Sequence, residues 1–249
     1  MVSGKYSALA GAISREQMIA NTSANLANVN TSGYKKSLLS FESLLRGERQ
    51  TAEAKGINYN RVRQNFTDFS PGPLRQTENP LDMALNGEGF FKVQGNEGIQ
   101  YTRRGDFVID PEGVLRTTNG LPVLDAANGQ ITIPDSAIGK VAVSESGIIY
   151  LLTPDGARAE VAQLAIVGVD DPKMLKRSGD TTFVLDEGGV ENPLENPAVV
   201  QGSLEVSNVS MVEEMTGMID SFRLFETYHK VLKSYGTISE QQEELGTLS

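Results

Sequence analysis

The sequence predicts a discontinuous α+β fold, with N- and C-terminal helices forming an α coiled-coil layer and a central all-β domain. Three observations carry this. Both ends of the chain repeat apolar residues on a 4-3 spacing. From residue 85 onward, turn signals recur every eight or nine residues with short β-prone runs between them. The chain of 249 residues holds 25 glycines and few aromatics, a composition suited to many turns. The expected boundaries are 1–34 with 207–249 for the helical domain, 35–70 for an extended linker, and 71–206 for the β domain.

The first helix is expected over residues 5–28, about 36 Å long at the standard rise. Val2, Tyr6, Leu9, Ile13, Ala20 and Ala27 line one stripe of it. Asn21, Asn25 and Asn28 share a face beside Ala20, Ala24 and Ala27. Asparagine lowers helix propensity by about 0.6 kcal/mol, so its presence there calls for a reason. Small neighbours permit close approach, and the amide can hydrogen-bond across an interface or fix its register. For Asn28, as for Asn30, simple termination of the helix is an equal reading. Gly33 ends the helical pattern. Residues 37–45 either continue as helix or turn extended, 55–69 look extended, and Pro71-Gly72-Pro73 is a break.

The middle is punctuated at Asn86-Gly87, Gly95, Gly105, Gly113, Asn119-Gly120, Asn128-Gly129, Gly139, Gly147 and Asp155-Gly156. Phe90–Val93, Phe107–Ile109, Ile131–Ile133, Val141–Val143 and Ile148–Leu152 are the intervening strands of a sandwich or irregular barrel. The apolar run Val161–Val169, interrupted by Gln163, reads as a buried strand. Residues 160–169 and 181–186 are expected to add a further strand pair, and 187–197 a loop.

Ser210 opens the second helix, with Glu213 placed for a capping box. The helix is expected to reach about Tyr235, where Gly236 can stop it, and the tail from 237 to extend it or fray. Met211, Met215, Met218, Phe222, Phe225 and Leu232 form its stripe. Fully burying six such side chains is worth roughly 10–18 kcal/mol gross, and one opposing helix covers only part of that surface. Two arrangements stay open: a hairpin of the two termini on the β body, or termini that pack together and also against other copies.

Charge and composition exclude several classes. The net charge of −10 argues against a nucleic-acid partner. Residues 1–63 carry nine Lys/Arg and four Asp/Glu, so the excess of acid lies in the rest of the chain. That split means either two differently solvated surfaces or a positive segment of one subunit meeting the acidic body of another. The chain has no cysteine, hence no disulfide or thiolate site. No run reaches the ~18–20 apolar residues of a membrane span, and the N-terminus lacks the pattern of a secretory signal. The single histidine, His229, falls on the apolar stripe and gives no cleft for a nucleophilic triad. Gly87-Glu88-Gly89 lacks the third glycine of a dinucleotide fingerprint, and Asp125 with Asn128-Gly129 lacks EF-hand spacing. No catalytic residue, cofactor or metal site is expected. A β-rich protein that binds or cleaves glycans through its many carboxylates is the alternative of a different class.

Four blocks carry a family resemblance. Asn25-Leu26-Ala27-Asn28-Val29-Asn30-Thr31-Ser32-Gly33-Tyr34-Lys35 resembles the N-terminal signature of bacterial flagellar rod and hook proteins. Asn79 to Phe91 resembles the block opening that family's β domain. Tyr101 to Phe107 with Asp110-Pro111-Glu112-Gly113 resembles its next hairpins, and Gln201 to Val209 with Glu214-Met215 and Met218-Ile219 its C-terminal block. Within the family the chain resembles the proximal-rod type more than the distal-rod type. Only 38 residues separate Gly33 from Gly72, and Arg223-Leu224-Phe225-Glu226 stands in the C-terminal helix.

The resemblance implies a structural subunit of the flagellar basal-body rod, a hollow helical shaft that passes motor torque to the hook. It implies export without a cleaved signal by the flagellar type III apparatus and a periplasmic position. The implied partners are other rod proteins, proximal and distal, and copies of the chain itself. The assembly interface is then expected at Tyr6, Leu9, Ile13, Asn21, Asn25, Asn28, Gly33, Tyr34, Met211, Met215, Met218, Phe222, Phe225 and Leu232, with the terminal helices ordering on joining the rod.

Overall fold

A computed structural model describes residues 2–46, 57–96, 98–134, 141–152, 157–194 and 196–247. The turns expected at Gly139 and Asp155-Gly156 and the side chain of Val2 lie outside the described residues. Helices stand at both ends and the middle is β-rich, as an α+β chain requires. The chain forms two units: a helical unit of Met1–Ala27, Ser37–Phe66 and Ser210–Ser249, and a β unit of Asn28–Lys36 and Thr67–Val209.

The helical unit contains α1 (Val2–Ala27), β1 (Ser37–Arg46), β2 (Ile57–Thr67) and α2 (Met211–Thr247). The stretch 35–70, expected as an extended linker, holds β1 and β2, which pair with each other as a two-stranded sheet. α1 and α2 run antiparallel: Gly4 lies against Tyr235, Gly11 against Tyr228, and Asn25 bonds to Glu214. The inner row of α1 is Gly4, Ala8, Gly11, Arg15, Met18, Thr22 and Asn25; that of α2 is Glu214, Met218, Ser221, Phe225, Tyr228, Leu232 and Tyr235. Both rows alternate steps of four and three, the spacing that keeps one side of a helix facing a partner. The glycines are notches. A β-carbon on Gly4 would stand 2.5 Å from the Tyr235 hydroxyl, and one on Gly11 2.5 Å from the Tyr228 ring.

Two expectations are corrected here. The apolar stripes found by spacing are not, as whole stripes, the rows that pack together. Tyr6, Leu9 and Ile13 are exposed on the side of α1 away from its inner row, and Met211, Met215 and Phe222 are exposed beside the inner row of α2. Apolar spacing selects large side chains, whereas contact with tyrosine selects glycine and alanine. Gly236 also does not stop α2, which continues to Thr247. Gly236 is not among the positive-φ glycines that close helices. An interior glycine costs only about 1 kcal/mol, and the Glu- and Gln-rich run after it favours continued helix.

The β unit is built on an antiparallel six-stranded sheet. Its strands are β5 (Phe90–Gly95), β6 (Gly98–Thr102), β12 (Ile166–Val169), β13 (Leu175–Arg177), β14 (Thr182–Leu185) and β15 (Glu191–Pro193), in the order β13-β14-β6-β5-β12-β15. A three-stranded sheet joins β9 (Val141–Val143), β10 (Ile148–Leu152) and β11 (Arg158–Gln163), and β7 (Phe107–Ile109) pairs with β8 (Leu115–Thr117). Two short sheets close the unit: β3 (Leu74–Gln76) with β17 (Ser203–Glu205), and β4 (Met83–Leu85) with β16 (Val199–Gln201).

Alternation along β5 sends its residues into two cores. Phe91 and Val93 enter the larger, with Phe107, Leu115, Ile133 and Ile149; Phe90 enters the smaller, with Tyr101, Val167, Leu175 and Phe183.

Two further expectations change. The run 161–169 is two strands in different sheets, because Leu164 and Ala165 leave one sheet for the other, with their amides bonded to Gly147 and Leu124 carbonyls. β12 and β14 are both strands but do not pair with each other. β14 takes its sequence neighbour β13 and β6, while β12 takes β5 and β15.

Candidate assembly interface

The expected interface residues fall into five environments. Tyr6, Leu9, Ile13, Met211, Met215 and Phe222 are exposed; Tyr6 is 58% and Phe222 51% accessible. Ile219, also half exposed, widens the α2 group. Met218, Phe225 and Leu232 are half-buried in the inner row of α2. His229 is exposed beside them, its ring edge-on to Phe225 with centroids 4.7 Å apart.

Asn21 and Asn25 form a polar junction inside the helical unit. Asn25 is fully buried. Its carbonyl accepts from the Ser37 amide at 2.9 Å, and its Nδ2 donates to the Ser37 carbonyl at 2.9 Å and to Glu214 at 3.3 Å. Asn21 donates to the same Ser37 carbonyl at 2.8 Å. The Asn25 amide thus pairs with Ser37 as a neighbouring strand would, tying β1 to α1 while also reaching α2. Buried donors and acceptors left unmade are costly, which explains asparagine in a helix that disfavours it. Asn28 lies past the end of α1, where its carbonyl oxygens accept from the Thr31 amide and hydroxyl.

Gly33 and Tyr34 belong to the β unit, at a cluster of buried charge. Gly33 has φ +69°, and a β-carbon there would collide with the Arg103–Arg104 backbone, so only glycine fits. Its amide donates to the Glu205 carbonyl at 2.8 Å. The Glu205 carboxylate receives Lys35 Nζ at 2.6 Å, the Gly72 amide at 2.9 Å and Arg103 at 3.2 Å. All three charged side chains are almost completely buried. Lys35 also donates to the Ser70 carbonyl at 2.7 Å and Arg103 to Gly87 at 2.6 Å. Burial draws the Lys35 ammonium below its ordinary pKa, with the Glu205 carboxylate pulling the other way; Arg103 is shifted down for the same reason. Tyr34 lies under Arg177, whose guanidinium stands 4.7 Å from the ring centre. Sequence reading missed this cluster, because lone Lys, Arg and Glu default to the surface. The available signal was that each sits inside a motif block.

Among the described residues, no group of three or more His, Cys, Asp or Glu is placed to hold an ion. No described helix is long and apolar enough to cross a membrane.

Residues 84–151 match the family model described as flagellar hook protein FlgE/F/G D1 domain, and residues 200–244 match flagellar basal body rod FlgEFG protein C-terminal. The chain is 36% identical to the flagellar basal-body rod protein FlgF of Caulobacter vibrioides over 90% of each chain. It is 31% identical to FlgF of Salmonella typhimurium over 98% of each. It is 27% identical to FlgG of Bacillus subtilis over 97% of this chain and 98% of the relative. The matched segments contain the buried Arg103 and Glu205 and the exposed Met211, Met215 and Phe222. The chain belongs to the family of bacterial flagellar basal-body rod proteins.

Proposed function

We propose that the chain is a structural subunit of the flagellar rod, of the proximal type, assembling helically through its terminal helices into the hollow shaft that carries torque to the hook. The observation that carries this reading is the apolar surface left over after α1 and α2 have paired: Tyr6, Leu9 and Ile13 on one helix, Met215, Ile219 and Phe222 on the other. Burying such a side chain fully is worth about 1.5–3 kcal/mol, so a surface of this kind favours association. The chain reaches the periplasm through the flagellar type III export apparatus and meets other rod proteins and its own copies there. The proximal type is supported by 36% identity to a FlgF, where the FlgG relatives reach 27–31%. No catalytic step is part of this function.

The test is Phe222→Asp. An exposed charge on α2 leaves the fold intact but cannot be buried in a neighbour. Cells carrying this variant should lose swimming, while the purified protein keeps the circular dichroism of the β unit. Unimpaired swimming would contradict the reading.

A further inference from the structure

Asparagine followed by glycine is a chemically labile pair, and it occurs at Asn86-Gly87, Asn119-Gly120 and Asn128-Gly129. Glycine has no side chain to keep its amide nitrogen away from the preceding carboxamide, and asparagine is a thermolabile residue. All three asparagines are exposed, so exposure does not sort them. Their glycine amides do. Gly120 donates to the Thr117 carbonyl at 2.8 Å, and Gly129 to Asp125 Oδ1 at 2.6 Å. The Gly87 amide has no hydrogen-bond partner among the described residues. Pairing ends one residue earlier, where the Asn86 amide donates to the Ala198 carbonyl at 2.8 Å. We propose that Asn86-Gly87 is a site of spontaneous deamidation, and that its isoaspartate product loosens the buried Arg103.

The chemistry needs only solvent. Hydroxide takes the Gly87 amide proton, and the nitrogen attacks Asn86 Cγ. The N–Cγ bond forms, the Cγ–Nδ2 bond breaks, and Nδ2 leaves as ammonia with a proton from water. Water then opens the cyclic imide. Cleavage of the new bond gives aspartate. Cleavage of the original peptide bond gives isoaspartate, which inserts the β-carbon into the main chain. An amide must leave its hydrogen bond before it can react, and such a bond holds the reaction back roughly tenfold. Gly120 and Gly129 are held in this way, and Gly87 is not. The product matters because of what the Gly87 carbonyl does. It accepts from Arg103 Nη2 at 2.6 Å, while Nη1 has Glu205 at 3.2 Å and the buried Nε has no partner. Isoaspartate displaces that carbonyl, so a buried guanidinium loses one of its acceptors. Aspartate at position 86 keeps the backbone spacing and leaves the bond in place.

For the test, full-length protein is incubated, folded and in urea, in warm alkaline buffer made with water carrying heavy oxygen. It is then digested and mapped by mass spectrometry, and isoaspartate is scored with isoaspartyl methyltransferase. In the folded protein Asn86 should convert to labelled aspartate and isoaspartate roughly ten times faster than Asn119 or Asn128. In urea the three rates should converge. Asp125→Ala frees the Gly129 amide and should raise the Asn128 rate by a similar factor. Equal rates in the folded protein, a ranking unchanged in urea, or an Asn128 rate unmoved by Asp125→Ala would overturn the site. Protein isolated with isoaspartate at position 86 should melt at a lower temperature than the Asn86→Asp variant. Equal melting of the two would overturn the link to Arg103.

Discussion

Glu205 balances two buried cations with one carboxylate, so its charge matters more than its shape. Glu205→Gln keeps the volume and leaves Lys35 and Arg103 without a counter-charge. Breaking a buried pair from one side costs about 3–5 kcal/mol, and the β unit should lose that much in urea unfolding. Replacing Glu205 and Lys35 together by leucine and methionine should recover a large part, because Lys35 is then no longer stranded. Equal loss in both variants would mean that the carboxylate acts through its bond to the Gly72 amide alone. Gly33 shows what is legible at this scale. That the helical pattern is over by Gly33 can be read locally, and α1 ends at Ala27, but the positive φ of Gly33 and its contact with Arg103–Arg104 depend on a segment some 70 residues away. Lys35 shows the opposite: apart from its place at the end of a motif block, nothing in its neighbourhood marks a lysine that is buried.

Between elements, pairing is decided by size as much as by hydrophobicity. Gly11 beneath Tyr228 is a notch under a knob. Gly11→Ala should destabilise the helical unit by about 1–3 kcal/mol through overpacking, although alanine is the better helix former. Adding Tyr228→Leu should restore most of the loss, which thermal melts of the single and double variants would measure. A stabilised Gly11→Ala would show that Tyr228 swings aside freely. The helices themselves and the short strands around Phe90, Phe107 and Ile148 were legible from periodicity and turn residues. The partners were not. Gly4 and Gly11 look like weak points in a helix until Tyr228 and Tyr235, also seven apart, are seen opposite them. The strands β12 and β14 were found, but hydrophobic pattern carries no label for which edge each one takes.

For the molecule as a whole, the β unit is closed by its last residues. β16 and β17 supply the partners of β4 and β3, and Glu205 reaches back to Lys35 across 170 positions of sequence. A chain shortened to end at Ala198 should therefore lack a cooperative β-unit transition in thermal unfolding, although most of its strands and both apolar cores remain encoded. A sharp transition in the shortened chain would show that the closing strands are dispensable. The α+β class and the helical ends could be read in advance because they depend on local pattern. This closure could not, since it joins distant blocks.

The buried lysine has one more consequence, and it concerns time. Contacts between distant parts of a chain form slowly, because loop entropy must be lost before any reward arrives. Lys35 emerges early and finds its carboxylate only when nearly the whole β unit has followed. Until then its ammonium stays in water, and the segment around it has no dry place to go. The Lys35–Glu205 pair spans 170 positions, so a chain that ends before Glu205 leaves the lysine without the carboxylate that accompanies its burial.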